Sequence, residues 1–210
     1  MTELIAIVAV AVVAWFAAGT IWNIRKGRLL MRWMQDGLPV LGVRTTVRWL
    51  GSSAVEMVIR DAKAPFSAVT LIIFLEPRDM PWMWALSRSR GRRDMLIVRG
   101  ALRAAPVDEF EVLDPGSWSG RDALPRVPSE WKRRDPATGG SLVVHDGSAN
   151  DVERIDALLE MARRAGLVVK RLSVRRTEPN FQLHVFLPDD RKPARAFFEA
   201  IRAIVERARA

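Results

Sequence analysis

The sequence predicts an α+β protein: one N-terminal transmembrane helix, then a soluble mixed or antiparallel sheet with about three helices, divisible into two β-α-β-β units. Three observations carry this. Residues 4–24 hold no charged side chain. From Val40 the apolar period changes from helical to alternating. The second half carries two amphipathic helical stretches, after Asn150 and after Pro193, set among short β-branched runs.

The anchor comes first. Leu4 to Trp22 is nearly all Ala, Val, Ile, Leu and aromatics. Nineteen residues at 1.5 Å each cover about 28 Å, the thickness of a hydrocarbon core. Trp15 and Trp22 are amphipathic aromatics, with Trp22 placed where a membrane interface falls. Glu3 precedes the segment, and Arg25, Lys26, Arg28 and Arg32 follow it. By the positive-inside rule the protein is expected in the cell membrane, with its N-terminus outside and the rest in the cytoplasm. Ala17-Ala18-Gly19 has the small residues of a signal cleavage site. However, the stretch before the apolar segment lacks positive charge, and four basic residues would have to be translocated. The anchor is therefore read as retained.

Trp22–Gln35 interleaves basic residues with Leu29, Leu30, Met31, Trp33 and Met34. Either it lies as a helix along the membrane surface, its arginine stems snorkelling, or it is a plain exit segment. Gly37 and Pro39 end it. Residues 1–37 are thus anchor and juxtamembrane segment.

Residues 38–113 read as a β-rich α+β unit. Val43, Thr45, Val47 and Trp49 alternate with Arg44, Thr46 and Arg48. Gly51-Ser52-Ser53 turns the chain into Val55–Arg60, and Val69–Leu75 has the β-branched density of a central strand. Pro81–Arg90 is a short helix opened by proline, followed by strands Met95–Leu102 and Phe110–Leu113. Residues 114–140 hold many prolines and glycines without periodicity, so a linker or loop is expected. Residues 141–210 form a β-α-β-β-α unit. Ser141–His145 is a strand, Asn150–Glu153 has capping-box spacing, and Gly166 is a helix stop. Leu167–Val174 and Phe181–Leu187 are strands around a Pro179-Asn180 turn. The last helix buries Phe197, Phe198, Ile201, Ile204 and Val205. A duplication of β-α-β-β over 69–113 and 141–187 fits this order, although the two stretches share no visible sequence similarity.

No catalytic, metal or cofactor site is legible. Without cysteine there is no disulfide, thiolate metal site or cysteine nucleophile. The sequence contains no P-loop, no G-x-G-x-x-G after a strand and no G-x-S-x-G elbow. Gly116 to Gly120 reads as a turn. The two histidines, His145 and His184, lack the converging ligands a metal needs. His145 beside Asp146 is the only acid–base juxtaposition, and Asp-Gly after a strand is ordinary turn chemistry. Asp108/Glu109 are neighbours in sequence, and adjacent strand residues face opposite ways. Asp189/Asp190 suit the N-terminus of the last helix.

Basic clusters beside aromatics are the distinctive feature. The net charge is +9, from 33 basic and 24 acidic residues, which favours anionic partners. The candidate membrane or partner contacts are Trp22, Arg25, Lys26, Arg28, Arg32 and Trp33 beside the anchor. Further on come Trp82, Trp84, Arg88, Arg90, Arg92 and Arg93. On a helical wheel Trp82, Met83 and Leu86 share a face, with Trp84 on the other side near Arg88. Two more clusters are Lys132–Arg134 and Lys170, Arg171, Arg175 and Arg176. The expected function is a membrane-tethered binding or assembly module. It would meet the bilayer through residues 4–22, with anionic lipid headgroups and an unidentified protein as partners. Nucleic-acid binding, with Trp49 as a stacking candidate, and an unfamiliar enzyme are the alternatives.

Overall fold

In a computed structural model, which describes residues 1–135, 140–147, 150–188 and 191–209 and only the backbone of 150–152, the chain opens as one helix, α1 (Thr2–Gln35). At 1.5 Å per residue it is about 51 Å long, and its two halves differ. Residues 1–18 are all exposed. α1 is long and apolar enough, by length and composition, to cross a membrane, with a mean hydropathy of 2.5 over its most apolar 18 residues. From Gly19 onward one stripe turns inward: Gly19, Asn23, Gly27, Leu30 and Met34 are buried. Steps of three and four residues place them on a single helix face.

That face packs on the protein, and two glycines allow it. A Cβ at Gly19 would fall on the backbone of Arg78 and Asp79. A Cβ at Gly27 would lie 2.6 Å from the Trp49 ring. Between them the Asn23 amide donates to the Glu76 carbonyl (3.1 Å) and accepts from Arg78 (3.2 Å). Lower down, Leu30 and Met34 join the main core. Trp33 packs at a tilt against Phe197 and donates to the Lys192 carbonyl at 2.6 Å. The segment Trp22–Gln35 is therefore the same helix continued. The side chains expected in headgroups include Leu30 and Met34, which instead meet the domain's own core. Periodicity reveals an apolar face but not what covers it.

The remaining elements follow in chain order. They are β1 (Thr45–Trp49), β2 (Ala54–Ile59), β3 (Phe66–Phe74), α2 (Pro81–Ser89), β4 (Met95–Leu102) and β5 (Phe110–Leu113). Then come α3 (Trp118–Ala123), β6 (Lys132–Arg134), β7 (Leu142–His145), α4 (Asn150–Arg164), β8 (Val169–Val174), β9 (Phe181–Phe186) and α5 (Ala194–Arg209). The described strands form one antiparallel nine-stranded sheet in the order β1-β2-β3-β4-β9-β8-β5-β7-β6. Its registers line up Met57, Leu71, Val98, Leu183, Leu172, Val112 and Val143 in one row. All seven are buried, and the second half of α1 together with α4 and α5 covers them. The α+β class holds, with four α-helices after α1 among the described residues.

Three details depart from the sequence expectation or extend it. Within 114–140, expected as linker or loop, the described residues carry α3 and β6. α3 has only six residues, capped by the Ser117 hydroxyl, which accepts from the Gly120 N–H at 3.0 Å. β6 is the all-basic Lys132–Arg134. Neither is long enough to show a period, and what holds them is a small second core of Leu113, Ala123, Val127, Trp131 and Val144. Strand pairing also does not repeat between the two β-α-β-β stretches: β3 and β4 are neighbours, whereas β5 separates β7 from β8. Finally, Gly166 ends α4 with φ +75°, while the side chain of Asn150, the expected cap, lies outside the described residues, as do Asp189 and Asp190.

The Gly19 contact gives a stability prediction. Gly19→Val should destabilise the full chain in detergent by about 2 kcal/mol or more, because backbone on both sides must move. Ala18→Val, one residue away on the bare side, should stay within about 0.5 kcal/mol. Thermal unfolding of the two variants checks this.

Candidate membrane interface

The strand registers define two ends of the sheet. One end carries Trp49, Ala54, Phe74, Met95, Phe186, Leu113 and Leu142. The turn 50–53, the segment 75–94 with α2, and the start of α3 all project from it. α1 leaves the domain at this same end. Gly19 abuts Arg78 and Asp79, and the Trp15 indole donates to the Arg78 carbonyl at 3.0 Å. Residues 1–18 thus run on beyond the sheet from here.

Exposed apolar side chains concentrate at this end. Outside α1, the exposed large hydrophobics among the described residues include Leu50, Met80, Trp82, Met83, Leu86, Trp118 and Val168 here, and Val43, Val47 and Val107 elsewhere. α2 buries none of its residues, and Trp82 is 62% exposed. A nine-residue helix without a packed face needs other supports. Pro81 sets its first turn. The Trp84 indole donates to Glu76 at 2.6 Å, and its ring lies 6.3 Å from that of Trp15. Arg88 reaches Glu76 at 3.3 Å and sits over the Trp84 ring.

The residues singled out from sequence divide accordingly. Trp22, Trp82, Trp84, Arg88, Arg90, Arg92 and Arg93 gather around this end. Trp22 is bare on α1, and Arg92 lies over Trp118 at 5.3 Å. Arg25 is exposed just below Trp22. Lys26 is an ion-pair partner of Asp94. Trp33 belongs to the core contact with α5. Arg28 and Arg32 are exposed further along α1, about 14–20 Å past Gly19 at 1.5 Å per residue. Sequence reasoning missed Trp118 and Arg121, which lie in the stretch read as a linker, and Arg78, whose importance depends on what α1 brings to it.

A buried charged seam joins α1 to this end. Asp94 accepts from Arg78 at 2.9 and 3.0 Å, from the Glu76 N–H at 2.8 Å, and from Lys26. Burial works to raise the Asp94 pKa, but the Arg78, Lys26 and backbone donors outweigh it and hold the carboxyl below its ordinary 3.8. Folding therefore gains from the ionised form above 3.8 and loses the gain as pH falls from there through the depressed pKa.

Elsewhere much of the basic clusters is tied up within the fold, with Lys132 and Arg133 left exposed. Arg171 and Arg175 both bind Glu111, at 3.1 and 2.7 Å, and Arg175 lies 4.1 Å from the Trp131 ring centroid. Lys170 pairs with Asp114, Arg176 with Glu109 and Asp146, and Arg134 with Asp156. Trp49 packs over Gly27 rather than standing free for a base to stack on. His145 is buried on β7, and Asp146 beside it is taken by Arg176 at 3.3 Å. His184 is buried on the sheet face away from the main core. Burial first, then Arg171 and Arg99, push its pKa down to about 3, so it is neutral at physiological pH. No protein-family model matches the chain, and no curated protein matches its sequence.

Two measurements follow. Asp94→Asn takes the anion from Lys26 and leaves Arg78 only its longer 3.7 Å contact with Glu76, and should cost about 2–3 kcal/mol at pH 7. Denaturant titration of the full chain in detergent reads this loss. For His184 the folded pKa is depressed, so stability is full above the ordinary 6.5. As pH falls from there toward 3 the unfolded chain binds the extra proton, and the folding constant drops roughly tenfold per unit. His184→Leu should flatten that part of the stability profile between pH 6.5 and 4.

Proposed function

We propose that the protein is a single-pass membrane protein with its N-terminus outside, and that its cytoplasmic α+β domain is a binding or assembly module held against the inner leaflet. One observation carries the reading: the bare apolar half of α1 leaves the domain at the sheet end where the exposed apolar residues of α2, Trp118 and Val168 collect. Lipid would cover both with one surface. Trp15 and Trp84, their ring centroids 6.3 Å apart, lie where α1 leaves the domain, and Trp22, about two turns further on, sits as an interfacial aromatic does.

Charge supports the direction. Arg25, Arg88, Arg90, Arg92, Arg93 and Arg121 surround this end, while Glu3 stands alone at the far tip of α1. Each basic residue near an anionic leaflet adds about 1 kcal/mol of attraction. Seated this way, the domain turns its other end, with the 60–65 and 103–109 turns, toward the cytoplasm for a partner.

Because the chain has no cysteine, single-cysteine labels report position cleanly. In vesicles of mixed anionic and neutral lipid, a fluorophore at Met83→Cys should be quenched by nitroxides carried on the lipid. One at Val107→Cys should respond only to a water-soluble quencher. Equal accessibility of both positions to the aqueous quencher would remove the proposed seating.

A further inference from the structure

We propose that the cleft between α1 and the end of the sheet binds the headgroup of one anionic phospholipid, whose acyl chains lie along the bare flank of α1. This deepens the seating proposed above and rests on it. The cleft encloses about 1050 Å³, the upper range for a small-molecule site. Ala18, Ile21 and Trp22 form its outer wall, continuous with the span. Deeper in, Arg25, Lys26, Arg78, Arg88 and Arg93 face two carboxylates among the described residues, Glu76 and Asp94.

Both carboxylates are already saturated. Asp94 is engaged by Arg78 and Lys26, and Glu76 by Trp84 and Arg88. Among the described residues Arg25 has no carboxylate partner. Nor has Arg93, whose guanidinium donates to the carbonyls of Arg88 (3.0 Å) and Arg92 (2.8 Å). Five cations against two anions leave a surplus of positive charge inside a cleft with an apolar wall. A phosphodiester supplies oxygens that accept charge-assisted bonds from guanidinium groups. A tailless anion would use only the inner wall, and a neutral lipid only the outer one. The combination, at the depth where the span ends, selects an anionic amphiphile.

The test uses the full chain, extracted into mild detergent with equal amounts of phosphatidylglycerol and phosphatidylcholine and weighed intact by native mass spectrometry. One phosphatidylglycerol should be retained in strong preference to phosphatidylcholine. The double variant Arg25→Gln/Arg93→Gln should lower that retention roughly tenfold or more with the melting temperature lowered by only about a few degrees, since Arg93 gives up bonds to two carbonyls and neither residue ties the fold through a carboxylate. Arg28→Gln/Arg32→Gln, two α1 cations outside the cleft, should leave it intact. Equal retention of the two lipids, indifference to the first pair, or equal loss with the second pair each overturns the site. The Met83 label separates this from the seating: a lipid-buried label without selective retention refutes the cleft and leaves the seating. Selective retention with a water-exposed label does the reverse.

Discussion

The close approach of α1 to the segment after β3 determines where the rest of the structure can sit. Gly19 and Gly27 let the helix backbone come within contact of Arg78 and of the Trp49 ring. Asn23, between them, hydrogen-bonds the Glu76 carbonyl and Arg78, groups that burial would otherwise strand at a cost of 1–3 kcal/mol each. Asp94 then holds Arg78 and Lys26 together across the joint. Because the same helix supplies both the apolar stretch and part of the core, no flexible linker separates them. In the proposed arrangement the direction of the helix in the bilayer is the direction of the domain.

That rigidity explains why α2 can afford to bury nothing. An isolated nine-residue helix is marginal in water. Here both its ends are fixed by strands, β3 and β4, and its middle by Glu76, which takes hydrogen bonds from Trp84 and Arg88. Glu76 is itself positioned by the backbone that Asn23 and Asp94 grip. The polar side of α2 is therefore tied to the seam, which leaves Trp82, Met83 and Leu86 facing outward. Exposed apolar surface of this kind is a liability in water and an asset against lipid.

Much of the fold was legible because its long elements repeat a period. β4 and β5 have the bounds their runs of apolar residues predict, and α5 buries Phe197, Phe198, Ile201, Ile204 and Val205 as its stripe requires. What escaped was short or depended on a distant partner. α3 and β6 are too brief to show a period, and Trp131 anchors them through contacts the sequence order does not reveal. Of the candidate surface, the Arg88–Arg93 group and Trp82 were visible as a basic, aromatic run. Their grouping with Trp22 was not, because it requires knowing that Gly19 lies against Arg78. Conversely, Leu30 and Met34 looked like lipid-facing residues because an apolar helix face is the same whether protein or membrane covers it.

The distribution of charge makes the same distinction between interior and surface. Arg171 and Arg175 converge on Glu111, Lys170 on Asp114 and Arg134 on Asp156, so these cations hold the sheet together and contribute little outward field. Arg25, Arg90 and Arg92 have no carboxylate partner among the described residues, and all three lie around the end from which α1 departs. A cation paired within the fold has already given up much of its capacity to attract a second anion. An unpaired one near a low-dielectric boundary keeps it. Part of what is still free to act therefore lies beside the exposed aromatics, where an anionic membrane surface would meet charge and apolar contact together.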